Sequence, residues 1–212
     1  FAETGSFFAN TTDFFHKWMR DMRDSQSERG GFPSVAPFAQ YGNETMRLGW
    51  ADAGVIVPWI IWKQFGDVSI IEENWDAMLS FMNLVNDTKY DHNALLDENR
   101  GYQYADWLSY ESLESHGRSA FFDNDKGKPR PETIEYWNYL SASYWAIDAG
   151  LMSEMAAATG RDAKVFEAME TAAKDYLKAT FFDENGCFKP EVLNTMQTPA
   201  LFALKNQLFD GQ

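Results

Sequence analysis

The sequence has few of the residues that build disulfides or metal centres. Cys187 is its one cysteine, and its three histidines are His16, His92 and His116. A single cysteine cannot form an intrachain disulfide, and the histidines do not have the spacing of zinc ligands. We therefore expect neither a metal site nor a cofactor.

Basic residues and long apolar runs are also scarce. The chain has 18 Lys and Arg against 32 Asp and Glu, a net charge of −14. Because phosphate contacts need clustered Lys and Arg, this balance argues against nucleic acid and anionic membranes as partners. No apolar run reaches the ~20 residues of a membrane span. The first residue is Phe1, with no Met and no signal-peptide pattern, so we expect a piece of a longer protein and leave its compartment open.

Aromatic residues, by contrast, are plentiful. They make up 16% of the 212 residues and include eight Trp, within an ordinary globular composition of 45% hydrophobic and 24% charged residues. The length fits one domain with a sizeable core. Large rings pack in cores, and they also bind sugars and peptides.

Hydrophobic periodicity predicts helices and no convincing strand, so the predicted fold class is all-α. We expect six helices, at about 3–25, 50–65, 69–85, 132–159, 162–180 and 198–211. Thr198 is the predicted N-cap of the last helix and Pro199 lies in its first turn.

The same periodicity predicts which helix faces are buried. Phe7 and Phe14 lie on the apolar stripe of the first helix, and Val165 and Ala172 on that of the fifth. The second helix is apolar nearly all round, which predicts an inner helix.

The connections between these helices alternate in length. Gly66-Asp67 and Gly160-Arg161 are short links that make antiparallel neighbours, whereas 26–49, 86–131 and 182–197 are long. In an up-down array this alternation places all three long connections at one end. Function is predicted there.

Six candidate binding residues lie at the end of the array where the long connections are predicted, with Trp50 and Asp52 at the start of the second helix. They are Trp50 and Asp52 in GWAD, Tyr104, Asp106 and Trp107 in GYQYADWLSY, and Gln197 in MQTPA. Rings cover the apolar face of a sugar, and carboxylates and amides bond its hydroxyls, so the set suits a neutral polyhydroxylated ligand.

A structural interpretation competes with this one. A Trp at a helix start commonly packs against the core, and an Asp there commonly caps the helix. Because the Trp/Asp pair occurs twice at this end, the binding interpretation and the structural interpretation are about equally favoured. A core position is favoured for the Trp residues on helical stripes, namely Trp18, Trp59, Trp62, Trp75, Trp137 and Trp145.

Three segments resemble the catalytic domain of bacterial α-L-rhamnosidases, glycoside hydrolase family 78. They are LGWADAGVIVPWIIWKQFGDVSIIEENWDAM, YADWLS and TMQTPALFALKNQLF. The resemblance implies an α/α barrel of six helical hairpins. It also implies that Trp50 and Trp107 line the pocket for a terminal rhamnose, with Asp52 and Asp106 in the same motifs.

The resemblance also implies what residues 1–212 do not contain. The motif that holds the family's general acid is absent and by alignment would precede Phe1, and the general base would follow Gln212. We therefore expect a single all-α segment, about half of a barrel, from the catalytic domain of an inverting α-L-rhamnosidase. No catalytic residue is assigned within it.

The resemblance also implies which partners the chain has. The expected partners are a rhamnoside carbohydrate and the remainder of the same domain. By itself the segment is expected to be inactive and prone to self-association, because the open sides of its inner helices, including the second, would be exposed.

Two alternatives stay open. Asp52 and Asp106 could be the catalytic pair of another α/α-barrel glycosidase. The chain could also be a non-catalytic helical domain that binds carbohydrate or a partner. A bacterial periplasmic, extracellular or cytoplasmic location fits each of them.

Overall fold

The computed structural model describes residues 1–39, 44–101, 103–105, 122–123 and 128–209. The predicted all-α class is confirmed. The helices are α1 Ala2–Phe8, α2 Thr12–Asp24, α3 Ala53–Phe65, α4 Ser69–Thr88, α5 Leu96–Asn99, α6 Pro131–Ala158, α7 Lys164–Phe181 and α8 Gln197–Lys205. Two 3₁₀ turns, Asn93–Leu95 and Glu191–Asn194, precede α5 and α8, and the two-residue strands β1 Phe122–Asp123 and β2 Lys128–Pro129 pair antiparallel.

The single first helix predicted over 3–25 is wrong, because the chain breaks between α1 and α2. Ala9 is extended (φ −153°, ψ 156°), and the Asn10 side chain accepts a bond from the Thr12 amide at 3.0 Å. The Ser6 and Thr11 hydroxyls bond each other at 2.9 Å. Short polar side chains that bond nearby backbone compete with helical hydrogen bonds, which explains the break.

The last helix starts earlier and ends earlier than predicted. Met196 occupies the N-cap position, so Thr198 lies inside α8 and its prediction as N-cap is wrong. Pro199 does lie in the first turn, where a missing amide proton costs little. Its carbonyl accepts a 2.7 Å hydrogen bond from the Tyr139 hydroxyl, which fixes the start of α8 against α6.

Two helical hairpins form the body of the structure, α3 with α4 and α6 with α7. Gly66 ends α3 with φ +71° and Gly160 follows α6 with φ +70°, the left-handed conformation that glycine adopts without strain. The long helix α6 contacts α3, α4, α7 and α8. It is therefore the centre of the packing.

The second predicted helix, which corresponds to α3, was expected to be exposed on its open side, and this prediction is wrong. All the apolar residues of α3 from Ala53 to Trp62 are buried or half-buried, since α1, α2, α4 and α6 pack around it. Apolar side chains are instead exposed at the two ends of the chain. They are Phe1, Phe7, Phe8 and Phe14 at the start, and Leu201, Leu204 and Phe209 at the end.

Two of the predicted buried faces also differ from the structure. Phe7 and Phe14 are 68% and 63% exposed, while α2 buries Met19 and Met22. On α7 the buried stripe is Phe166, Ala173, Leu177 and Phe181, one residue along from the predicted stripe with Val165 and Ala172. The Phe166 ring meets the Trp75 ring edge-on at 5.7 Å, and this contact between helices decides which stripe is buried.

Candidate functional site

A pair of rings, one exposed and one half-buried, lies where the first and second long connections meet. The Trp50 indole is 41% exposed, and its ring centroid lies 4.9 Å from that of Tyr104. The Arg47 guanidinium lies 4.5 Å from the centroid of the Tyr104 ring. We call these three side chains the Trp50–Tyr104 surface.

Backbone bonds to a buried glutamine bring the two connections together. Gln103 accepts a 2.8 Å hydrogen bond from the Leu48 amide and donates a 3.1 Å bond to the Met46 carbonyl. Its side chain is 1% exposed, so both of its polar ends are satisfied inside the protein. Tyr104 follows directly in the chain and is thereby placed against Trp50.

The turn that carries Trp50 is closed by its own backbone. The Trp50 and Ala51 amides donate to the Arg47 carbonyl at 3.1 and 2.9 Å. Gly49 has φ +76°, a conformation that favours glycine at this position. The indole therefore projects from a short turn immediately before α3.

Asp52 lies beneath this surface. Its side chain is 0% exposed, and one carboxylate oxygen accepts hydrogen bonds from the Gly49 amide and, at 3.1 Å, from the Tyr90 hydroxyl. It stands at the N-cap position of α3 but makes no side-chain bond to the helix amides. Asp52 thus holds the preceding turn, and its carboxylate is removed from solvent.

Sequence reasoning missed the partner of Asp52. Asp148 on α6 is also 0% exposed, and its carboxyl lies beside that of Asp52, so that each alters the pKa of the other. A signal was present, because Asp148 is the one charged residue in the run from Leu140 to Met152. A lone Asp in an apolar stretch needs a buried partner.

Burial dominates the electrostatics of this pair. Desolvation raises the Asp52 pKa to about 6, although the bonds from Asp148, Gly49 and Tyr90 act to lower it. Desolvation, followed by the charge of Asp52, raises the Asp148 pKa well above its ordinary value. The pKa of Tyr90 is raised by its own burial and by the two carboxyls. Both carboxyls therefore hold a proton more tightly than an exposed Asp does.

Three candidates are not placed at this surface by any described contact. Gln197 is exposed at the start of α8, and its predicted place beside Trp50 and Tyr104 stays a prediction. Asp106 and Trp107 lie outside the described residues, so their predicted convergence with Trp50 stays a prediction. Among the residues the structure describes, no group of three His, Cys, Asp or Glu could hold a metal. None of the described helices is long and apolar enough to cross a bilayer.

Comparison with known proteins identifies the family. The model of the bacterial alpha-L-rhamnosidase 6 hairpin glycosidase domain matches residues 1–212. The chain belongs to this family. The interpretation drawn from the GWADAGVIVPW segment is confirmed, and the two helical hairpins, α3 with α4 and α6 with α7, are part of the six-hairpin catalytic domain.

Individual rhamnosidases resemble the whole segment. An alpha-L-rhamnosidase of Formosa agariphila is 29% identical over all of this chain and 21% of its own length. One from Alteromonas sp. is 27% identical over 87% of the chain and 18% of its own length. The Streptomyces avermitilis alpha-L-rhamnosidase, solved in complex with L-rhamnose, superposes with a TM-score of 0.70 at 23% identity, covering 94% of this chain and 16% of that one.

The chain thus spans about a fifth of the length of the curated rhamnosidases it matches. Their name favours a glycosidase over a non-catalytic helical domain. The alternative catalytic pair, Asp52 with Asp106, loses support because Asp52 lies wholly inside the protein beside another carboxyl.

Proposed function

We propose that this chain forms one wall of the sugar pocket of an inverting α-L-rhamnosidase that hydrolyses terminal α-L-rhamnose from glycosides or polysaccharides. The observation that carries the proposal is the exposed Trp50 indole, which packs against Tyr104 in this segment of a six-hairpin domain. The Streptomyces avermitilis neighbour, which shares this fold, was solved with L-rhamnose.

The Trp50–Tyr104 surface has the chemistry of a deoxy-sugar site. Rhamnose has a methyl group and an apolar C–H face, which pack on aromatic rings, and hydroxyls that need hydrogen-bond partners at the rim. Arg47 is buried, and its 3.2 Å ion pair with Glu44 holds the guanidinium beside Tyr104, where it supports the ring. Of the residues assigned to binding from the sequence, Trp50 and Tyr104 face the ligand in this proposal, while Asp52 is buried beneath them. Asp106, Trp107 and Gln197 remain candidates for the same pocket.

The acid and the base are proposed to come from outside residues 1–212. An inverting glycosidase needs two carboxyls about 6.5–9.5 Å apart with a water between them. Asp52 and Asp148 lie beside each other inside the protein, and both side chains are 0% exposed, so neither meets a substrate at the surface. This pair therefore supports the pocket and does not perform the proton transfers.

The two exposed apolar ends are proposed to pack against the remainder of the same domain. Leu201 and Leu204 on α8 are 59% and 75% exposed, and Phe7 and Phe8 on α1 are 68% and 86% exposed. Helices with one exposed apolar side need a neighbour to cover it. Further hairpins of a six-hairpin domain would provide such neighbours on both sides.

The test uses the protein expressed from its complete coding sequence. Hydrolysis of an aryl α-L-rhamnoside is followed together with quenching of Trp fluorescence by L-rhamnose, with L-fucose as the matched deoxy-sugar control. We expect turnover, with product of inverted anomeric configuration, and tighter binding of L-rhamnose than of L-fucose. Hydrolysis of another glycoside in preference would reject the substrate assignment.

A further inference from the structure

A buried carboxyl pair lies directly below the turn that carries Trp50. Asp52, before α3, and Asp148, on α6, are both 0% exposed, and their carboxyls lie beside each other, where each alters the pKa of the other. Oδ1 of Asp52 and both carboxyl oxygens of Asp148 are buried without a hydrogen-bond partner among the described residues. Two ionised carboxylates cannot bond each other, because neither has a proton to donate and their charges repel strongly in a low dielectric, whereas one shared proton gives these oxygens a partner.

We propose that Asp148 holds this proton and donates it to the Asp52 carboxylate, and that this bond fixes the turn that presents Trp50 to the ligand. Asp148 is then a positioning residue for sugar binding. The location of the proton follows from the surroundings alone, whereas the consequence for sugar binding rests on the proposed function.

The surroundings of the two carboxyls differ, and the difference places the proton. The Gly49 amide and the Tyr90 hydroxyl both donate to Asp52. Neither oxygen of Asp148 accepts a hydrogen bond from any described donor outside the pair. Donors stabilise an ionised carboxylate, so the negative charge lies on Asp52 and the proton on Asp148. With the proton on Asp148, its hydroxyl donates to a carboxylate oxygen of Asp52, so fewer oxygens of the two residues lack a hydrogen-bond partner.

The proton affects the surface because the same oxygen of Asp52 binds Gly49 and Tyr90. Gly49 immediately precedes Trp50, and its ring neighbour from α6 is Tyr144, whose hydroxyl would lie 3.4 Å from a Cβ at Gly49. Helix α6 therefore reaches the turn twice, through Tyr144 directly and through Asp148 by way of Asp52. Loss of the Asp148 donor would release the second of these supports.

The groups around the pair offer no compensating cation. Tyr90, from the segment after α4, interacts with both carboxyls, and Tyr144, from α6, interacts with Tyr90. No described Lys, Arg or His forms an ion pair with either carboxyl. The pair therefore carries one negative charge at neutral pH, and lowering the pH adds a second proton and weakens the bond from Gly49.

Infrared difference spectroscopy tests the proton itself. In the complete protein at neutral pH, the wild type should show the carbonyl stretch of a protonated carboxylic acid, sensitive to deuterium, that Asp148→Asn lacks. The control Asp175→Asn, at an exposed position on α7, should show no such band in its difference spectrum. Carboxylate bands alone in the Asp148→Asn difference spectrum would overturn the proposal.

Paired variants test the positioning role. Asp148→Asn keeps an N–H donor toward Asp52 and should bind L-rhamnose within about twofold of the wild type. Asp148→Leu removes the donor and should weaken binding about tenfold, which is about 1.4 kcal/mol. Equal affinity in the two variants would overturn the positioning role, because a donor would then be unnecessary.

Failure of the proposed function and failure of the proton assignment can be told apart. If the wild type binds no L-rhamnose, the proposed function fails, while the infrared band still decides where the proton lies. If Asp148→Leu does not fold, Tyr90→Phe supplies the second measurement. Loss of the Tyr90 donor should raise the pH at which Trp50 fluorescence changes, since a carboxylate with fewer donors ionises less readily. An unmoved midpoint would contradict the assignment of Asp52 as the ionised partner.

Discussion

The Trp50 indole and the Tyr104 ring lie 4.9 Å apart although different long connections carry them. The Gln103 side chain makes this possible, because it bonds the backbone at Met46 and Leu48 while its own chain continues into Tyr104. A ring pair held by buried backbone bonds is pre-organised, so a ligand that packs on it loses little side-chain entropy from the protein.

Truncation of the exposed indole should reduce sugar binding. In the complete protein we expect Trp50→Ala to weaken L-rhamnose binding by about tenfold, because about 1.4 kcal/mol of ring contact is lost. Trp62→Ala is the matched control, since Trp62 is half-buried near the other end of α3, roughly 14 Å along the helix at 1.5 Å per residue. Affinity is measured by calorimetric titration. Equal losses in both variants would indicate a general effect on folding and would remove Trp50 from the site.

Replacement of two glycines by alanine should change the free energy of unfolding in opposite directions. A Cβ at Gly54 would lie 2.2 Å from the Phe32 ring, whereas one at Gly150 would lie 3.4 Å from the Glu170 carboxyl carbon. Gly54→Ala should cost about 1–3 kcal/mol of the free energy of unfolding through overpacking. Gly150→Ala, inside α6, should add up to about 1 kcal/mol through helix propensity. Urea denaturation measures both, and a stable Gly54→Ala variant would contradict the packing of α3 on Phe32.

The contribution of His16 to stability should depend on pH. Its two ring nitrogens face the carboxylates of Asp67 at 2.8 Å and Glu73 at 3.1 Å. Burial lowers the His16 pKa, but the bonds and charges of Asp67 and Glu73 outweigh it, so the pKa is raised above 6.5. A raised pKa in the folded state means that the stabilisation is fully present below pH 6.5 and is lost as the pH rises through the folded value.

The measurement compares the wild type with His16→Gln across that pH range. We expect the difference in unfolding free energy to be at most about 1 kcal/mol, as for other surface ion pairs, and largest at acidic pH. Added salt should shrink it. A difference that grew with rising pH would contradict a raised His16 pKa in the folded protein.

The exposed face of α8 should drive self-association of residues 1–212 expressed alone. The double variant Leu201→Glu with Leu204→Glu should lower the mass in solution measured by light scattering, because charges oppose burial of the two side chains. Val165→Glu is the control, since Val165 is an exposed apolar residue on α7. A similar fall in mass in the control would show that charge alone is responsible.

The same segment, expressed alone, should hydrolyse no aryl α-L-rhamnoside. Positioning a sugar without an acid and a base leaves most of the barrier in place. Turnover at a rate typical of glycosidases would place a catalytic pair inside residues 1–212, and the proposal that the acid and base come from elsewhere would then be wrong.

The helices and their turns could be predicted from the amino-acid sequence, because these features depend on neighbours in the chain. The stripe of Ile71, Met78 and Met82 is buried as its spacing predicts, and Gly66 ends α3 where a short turn was expected. The GWAD motif marked the approach to α3, although the helix begins at Ala53 and Trp50 lies in the turn before it. Local periodicity and local backbone preference suffice for such features.

The way the helices face one another, and which polar groups meet, became clear only from the folded arrangement. Val165 and Phe166 fit neighbouring stripes of α7 about equally well, and the contact of Phe166 with Trp75 on another helix determines which is buried. Asp52 is partnered by Asp148 on α6, and a carboxyl pair has no pattern in sequence spacing because it forms where two helices cross. Burial and proton sharing depend on distances between elements that are remote in the chain, and periodicity does not encode those distances.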